Sequence, residues 1–298
     1  MSILVRFLNR TDPITLLYTS IVAIVVYVLV KRLIRKKFKP DTHDGSGATA
    51  DESPALISSS SETSDDDHND HDVATEHVAA ERIPFRGLGY SQAEMIAKSS
   101  EFFELMQQRR TMRDIGSKPV PIELIETVIR TASTAPSGAN LQPYKFVLIK
   151  DLDVKGRIRD IIEREEQINY ERRMGDAWVA DLQKFKVNWI KPYLTDAPYL
   201  ILVMRQAYGT RPDGSKQTNY YSEISCSIAV GILVAAIQVS GLCTVVSTPL
   251  NCGPQVRRLL DRPSNEKLLA LLPVGLPKDN ATVPDISRKP LTDVMDVY

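Results

Sequence analysis

Hydrophobic and polar positions divide this chain into three unequal parts. Residues 14–30 carry no charge and are mostly Leu, Ile, Val and Tyr, close to the ~20 apolar residues that a membrane-spanning helix needs. Lys31, Arg32, Arg35, Lys36, Lys37 and Lys39 follow, where a cleaved signal peptide would show small residues. This cluster outweighs Arg6 and Arg10 on the other flank. The positive-inside rule therefore predicts a single-pass membrane protein, anchored by residues 1–40 with everything after the span in the cytosol. Over residues 41–82 the apolar pattern gives way to "SSSSETSDDDHNDHD" and similar stretches, which have too little apolar surface to offset the entropy of ordering them. That segment is expected to be a disordered acidic tether.

From residue 83 to 298 the pattern is that of a folded domain. Residues 95–108 place Ile96, Phe102, Phe103, Leu105 and Met106 mainly on one side of a helix, and 121–132 reads as a second helix opened by proline. A strand is predicted over 145–149, a charged helix over 151–171, and a further helix over 176–193 carrying Trp178, Phe185 and Trp189. Residues 198–204 form a continuous apolar strand, and 219–240 a long helix stopped by Gly241. Strands at 242–247 and 268–274 flank a short helix at 254–260. Residues 224–256 contain no charge, but Ser225, Ser227, Gln238 and Ser240, with no basic flank, mark the centre of a domain or a dimer interface, not a second span. Helices alternating with apolar strands predict a layered α/β or α+β fold, with helices covering a central sheet.

Composition then removes several chemistries. The formal charge of zero hides an acidic tether and a basic domain, and all four histidines, His43, His68, His71 and His77, fall in the tether. A folded region without histidine excludes Ser-His-Asp triads and most zinc sites, so no metal centre is expected. Cys226, Cys243 and Cys252 show no Cys-x-x-Cys spacing and read as buried thiols. No Gly-x-Gly-x-x-Gly follows a strand and no phosphate loop of the Walker type is present. A bound cofactor is expected to supply the chemistry, and no nucleic-acid partner is expected.

Three segments carry candidate chemistry. "RRTMR" offers Arg109, Arg110 and Arg113 as planar cationic forks suited to a phosphate. Pro136, Ser137 and Gly138 hold a turn that keeps side chains away from a flat ring. "VVSTPLNCG" leaves a strand with Ser247 and Thr248 at its mouth. Each is weak alone. Their order, closed by "RKP" near the C-terminus, resembles the nitroreductase superfamily of FMN enzymes. "EREEQINYERRMGDAWVADLQKFKVNWIKPYLTDAP" and "NYYSEISCSIAVGILVAA" narrow the resemblance to its membrane-anchored iodotyrosine deiodinase branch, over about residues 83–298.

The resemblance implies a mixed central sheet and a domain-swapped homodimer with FMN at its interface. It places Arg109, Arg110, Thr111, Met112, Arg113 and Arg288 around the FMN phosphate and neighbouring polar groups. It lines the isoalloxazine or ribityl chain with Pro136, Ser137 and Gly138, and puts Val246, Ser247 and Thr248 at the flavin edge. A hydroxyl of Ser247 or Thr248 donating to flavin N5 would act in catalysis by favouring one-electron steps. Ala139, through its amide, and Glu166, Tyr170 and Lys191 are the implied substrate residues, the Glu–Lys pair matching a zwitterionic amino acid. Asn140, Tyr144 and Val246 depart from the His, Trp and Thr of vertebrate members. The implied activity is reduction of 3-iodotyrosine and 3,5-diiodotyrosine to tyrosine and iodide, with electrons from NADPH through a separate reductase. Two other readings stay open at this point: a general nitro or quinone reductase, and a membrane-tethered regulator of a channel or receptor that retains a flavin fold.

Overall fold

A computed structural model describes residues 80–298, and Arg82–Tyr298 form one compact unit. The predicted span at 14–30 and the acidic segment up to residue 79 lie outside the described residues. In chain order the first elements are α1 (Gln92–Gln107), α2 (Ile122–Ala132), β1 (Tyr144–Ile149), α3 (Leu152–Ile168) and a π-helical turn (Asn169–Arg173). Next come α4 (Asp176–Gln183), α5 (Tyr193–Asp196), β2 (Tyr199–Gln206), β3 (Tyr208–Thr210) and β4 (Lys216–Thr218). The last are α6 (Ser222–Val239), β5 (Cys243–Thr244), α7 (Gly253–Leu259) and β6 (Glu266–Gly275).

The sheet runs β1-β2-β6-β5, antiparallel at every ladder. Its mixed character comes from a parallel bridge between Thr111 and Thr244, which ties the segment after α1 to the sheet edge. β2 and β6 are apolar on both faces because both are covered. Ile201, Val203, Ala270, Leu272 and Val274 face α2 and α6, while Leu200, Leu202, Met204 and Leu271 face α3, α5 and α7. This is the period-two alternation of a strand buried between two helical layers. A register shift between Val203 and Met204 is the one irregularity in the β2–β6 ladder. β3 and β4 form a separate hairpin that the sequence pattern did not indicate.

Helix formation follows from caps and faces. Ser91 and Glu94 form a reciprocal capping box at α1, and the Asp151 carboxylate caps α3 through the Val154 amide. In α2 the buried Ile125, Val128 and Ala132 share the face that meets α6. α6 is long and apolar enough to cross a membrane, yet Cys226, Ala229, Leu233 and Ile237 are buried within the domain, as expected of a core helix. Gly241, at φ +69°, ends it in the left-handed conformation that glycine favours.

Two predicted helices are corrected. The helix expected over 176–193 ends at Gln183, because Lys186 takes a left-handed φ of 54° and the Asn188 side chain accepts from the Ile190 amide. The helix expected over 151–171 gives way to the π turn after Ile168. The apolar face of α1 behaves differently from the prediction as well. Ile96, Phe102 and Phe103 are exposed, and α1 buries no residue within its own chain.

Gly275 shows how tightly the end of the sheet is closed: an added Cβ would lie 2.6 Å from Pro198 Cδ and 2.9 Å from Ile115 Cγ2. Gly275→Ala is expected to destabilise the domain by about 1–3 kcal/mol through overpacking. A lowered urea midpoint at unchanged slope is the result that checks it.

Candidate active site

α3 sets out the first half of the site. Lys155, Arg159 and Glu163 are spaced by four residues, so they line one helix face. Lys155 Nζ donates to the carbonyls of Thr195 and Ala197, at 3.3 and 2.8 Å. Arg159 reaches the Thr195 hydroxyl at 2.9 Å and the Glu163 carboxylate at 2.7 Å. Glu163 Oε1 in turn accepts from the Lys191 backbone amide at 2.5 Å. This face clamps the stretch from Lys191 to Ala197 at both ends. Lys191 therefore sits not on a continuous helix, as predicted, but in the turn that leads into α5.

The clamp brings together the predicted recognition residues. Lys191 Nζ lies 3.7 Å from Glu166 Oε2, with side chains 8% and 13% exposed. The ammonium also donates to the Asn188 carbonyl and lies 5.8 Å from the centroid of the Tyr170 ring. Tyr170 stands edge-on to Trp189, with centroids 5.9 Å apart. Burial lowers the Lys191 pKa, an effect that the Glu166 charge opposes and the Arg113 charge reinforces. Asn169, fully buried at the head of the π turn, donates weakly to Glu166 at 3.5 Å. Its carbonyl oxygen accepts from Arg173 at 2.9 Å and Asn251 at 3.2 Å. Asn251 belongs to the loop that follows Thr248, so one buried amide links that loop to the recognition helix.

The second half is the arginine strip after α1. The Thr111–Thr244 bridge and a 2.9 Å bond from the Met112 amide to the Thr244 carbonyl pin the strip to β5. Arg288 folds back across it, donating to the carbonyls of Gln107 and Arg109 at 3.0 and 2.8 Å, and Arg110 donates to the Pro284 carbonyl. Burial first, then the Arg288 and Arg110 charges, push Arg109 below the ordinary guanidinium value. No described carboxylate makes an ion pair with Arg109, Arg110, Arg113 or Arg288. The result is a cationic cluster without a described counter-charge, and planar guanidinium forks are of a kind that suits a phosphate. Arg113 joins the two halves. It lines a cavity of about 380 Å³ with Thr111 and Pro284, and one of about 280 Å³ with Asn188, Lys191 and Tyr193.

The strip from Val246 to Thr248 leaves β5 toward solvent. Ser247 is held to Leu271 by a pair of backbone bonds at 2.9 and 2.8 Å, while Val246 and Thr248 are exposed. The loop with Pro136, Ser137, Gly138 and Ala139 shares no hydrogen bond or ion pair with the arginine strip or with Glu166 among the described residues. Gly138 has a reason the sequence did not show: a Cβ there would sit 3.0 Å from the Tyr220 carbonyl oxygen. Ala139 and Asn140 adopt left-handed φ values of 48° and 54°, and the Ser137 hydroxyl accepts from the Gln142 amide at 2.9 Å. Tyr144 anchors the loop from below, its hydroxyl lying 3.0 and 2.9 Å from the carbonyls of Ser133 and Ala135.

Burial pushes the thiols of Cys226 and Cys243 up to about 11 and that of Cys252 up to about 12. All three stay protonated near neutral pH, which removes them as nucleophiles. Sequence reasoning missed Glu163, Asn169 and Tyr193, and it noted Tyr144 only as a departure from the family pattern. Only Glu163 left a signal, the four-residue spacing from Arg159 on the face that also bears Glu166.

The Nitroreductase family profile matches residues 106–276, more than half of the chain, and the chain belongs to that family. It is 55% identical to the iodotyrosine deiodinase of Danio rerio, over 78% of this chain and 80% of that protein. It is 49% identical to iodotyrosine deiodinase 1 of Homo sapiens, over 95% and 98%. Within the nitroreductases it therefore falls among the iodotyrosine deiodinases. A crystal structure of oxidized iodotyrosine deiodinase bound to FMN and 3-iodo-L-tyrosine matches with a TM-score of 0.56 and 33% identity, over 63% of this chain and 95% of that one. A BluB-like flavoprotein from Clostridium difficile shares the fold, at a TM-score of 0.53 and 21% identity over 66% of this chain and 98% of that one.

Tyr144→Phe, which keeps the ring and deletes the hydroxyl, is expected to cost about 1–2 kcal/mol, because the Ala135 carbonyl loses its donor. Faster amide exchange at Asn140, Leu141 and Gln142, beyond the global change, is the accompanying sign that the loop has loosened.

Proposed function

We propose that this chain is an FMN-dependent reductive deiodinase acting on 3-iodotyrosine and 3,5-diiodotyrosine. The observation that carries the reading is the Glu166–Lys191 pair, two opposite charges held 3.7 Å apart on side chains only 13% and 8% exposed. An amino-acid head group needs an anion for its ammonium and a cation for its carboxylate, and this pair supplies both. A reductase of broad aromatic range has no use for such a pair.

The residues present fit FMN. Arg109, Arg110, Arg113 and Arg288, a cationic cluster with no described counter-ion, would hold the phosphate and polar edge. Thr111 and Met112 would lie along the same strip, and Val246, Ser247 and Thr248 at the flavin edge, with Ser247 or Thr248 as the hydrogen-bond donor there. Bound in that place, the flavin supplies the two electrons by which an aryl carbon–iodine bond and a proton become a carbon–hydrogen bond and iodide. The chain's own groups orient the ring. Glu166 takes the ammonium, Lys191 the carboxylate, Tyr170 hydrogen bonds to the head group, and the Ala139 amide meets the phenolate.

The same reading includes a domain-swapped homodimer. Support comes from the exposed apolar faces, Ile96, Phe102 and Phe103 on α1 with Ile224 and Ile228 on α6, and from a loop at 136–139 that makes no hydrogen bond to the arginines among the described residues. It also includes residues 1–40 as a single-pass anchor, 41–82 as a tether and 83–298 as a cytosolic flavin domain. The compact unit starting at Arg82 supports that division. Electrons would come from NADPH through a separate reductase, in keeping with a chain that shows no nicotinamide-binding glycine motif.

Iodide release from 3-iodotyrosine by the full-length, FMN-loaded protein, reduced with dithionite, is the expected result. Flavin-loaded protein without turnover would sink the reading. Lys191→Ala and Glu166→Gln are each expected to weaken 3-iodotyrosine binding by about tenfold or more, the worth of a charge-assisted contact, while FMN content stays at the wild-type level.

A further inference from the structure

Tyr193 opens α5, two residues after Lys191, and Pro192 fixes the turn between them. Its side chain packs in the core cluster with Leu194 and Ile162, and the residue is 6% exposed. A phenol so deeply placed ordinarily finds a hydrogen-bond partner. Tyr144 and Tyr199 do, through the carbonyls of Ala135 and Val120 at 2.9 and 3.0 Å. The Tyr193 hydroxyl has none among the described residues. It is also not sealed away from every probe of solvent, since no buried polar atom is left unsatisfied there. Tyr193 lines the 280 Å³ cavity together with Lys191, Asn188 and Arg113. Burial, the largest influence on it, holds the phenol well above its ordinary value, so the group is a hydrogen-bond donor throughout the neutral range.

A carboxylate arriving at Lys191 needs such a donor. It offers two oxygens with about four acceptor positions, whereas an ammonium has three hydrogens. One of these goes to the Asn188 carbonyl and another faces Glu166. The third hydrogen can meet only one carboxylate oxygen, so acceptor positions on the other are left for a second donor. We propose that the Tyr193 hydroxyl is a second recognition group for the substrate's α-carboxylate, acting beside Lys191 and selecting amino acids over phenols and amines that lack the carboxylate. The inference rests on the deiodinase reading.

Tyr193→Phe tests it, because the ring and its packing are kept. Flavin-fluorescence titration of the FMN-loaded, full-length protein would compare 3-iodotyrosine with 3-iodotyramine, which lacks only the carboxylate. The expected result is a loss of about tenfold in affinity for 3-iodotyrosine and no change for 3-iodotyramine, so that discrimination between the two ligands falls by the same factor. Equal losses for both ligands, which a merely structural role would produce, overturn the proposal, as does unchanged affinity for 3-iodotyrosine. The ratio within one variant cancels any general loosening of the site. A wild-type protein that fails to bind 3-iodotyrosine removes the deiodinase reading and this proposal with it, whereas wild-type binding with a variant that keeps its full selectivity removes the proposal alone.

Discussion

Glu166 and Lys191 set the terms on which the site is built. Removing each charge from water costs several kcal/mol, and mutual attraction returns this only when geometry is good and remaining hydrogen-bond positions are filled. At 3.7 Å the two ions are near the outer limit of pairing. Their other contacts explain why they do not close further: the Asn188 carbonyl takes a hydrogen from Lys191, and Asn169 reaches toward Glu166. The clamp from Lys155, Arg159 and Glu163 fixes the backbone on which Lys191 stands. A pair held open in this way gains little from itself. It gains more from a ligand that brings its own ammonium and carboxylate.

The arginine strip obeys the same rule with the opposite outcome. Like charges repel at every distance, so Arg109, Arg110 and Arg288 would be stabilised by an anion, and partial burial raises that gain at Arg109. Arg113 stands between the two demands, lining both cavities. Its charge acts on Lys191 and Tyr193 from the side of the arginine strip. A phosphate-bearing ligand on that side would thus be felt electrostatically at the recognition pair. The fold supplies the proximity by tying the strip to β5 at Thr244, the strand whose exit carries Ser247 and Thr248.

How much of this was legible in the sequence depends on the range of the force concerned. Strands β2 and β6 announced themselves because their burial on two faces leaves continuous apolar runs, and α6 because its length and terminal Gly241 are local signals. Glu166, Tyr170 and Lys191 were legible through resemblance to a family; their spacing alone left them as ordinary solvated charges. The break in the helix predicted over 176–193 was not legible, since Lys186 in a left-handed conformation and the Asn188 turn are held by tertiary contacts that override local propensity. Glu163 escaped notice because its partner is a backbone amide, and any residue type but proline at 191 would present the same N–H. Tyr193 was hidden by its own apolarity: in a pattern of hydrophobic positions, a phenol reads as core.

The loop at 136–139 bears on the proposed homodimer. Gly138 is pressed against Tyr220, the Ser137 hydroxyl accepts from Gln142, and Tyr144 fixes the approach, so the loop is held in shape by contacts of its own. The same chain exposes a helix, α1, that buries nothing, beside an α6 whose outer positions include Ile224 and Ile228. Apolar surface on that scale costs about 25 cal/mol for each Å² left in water. A second copy laid across these helices would cover that surface, and in the proposed homodimer the same contact would close the loop of one subunit over the arginines of the other. Burial and catalysis would then make the same demand on the chain, and the small residues at 137–139 would serve both.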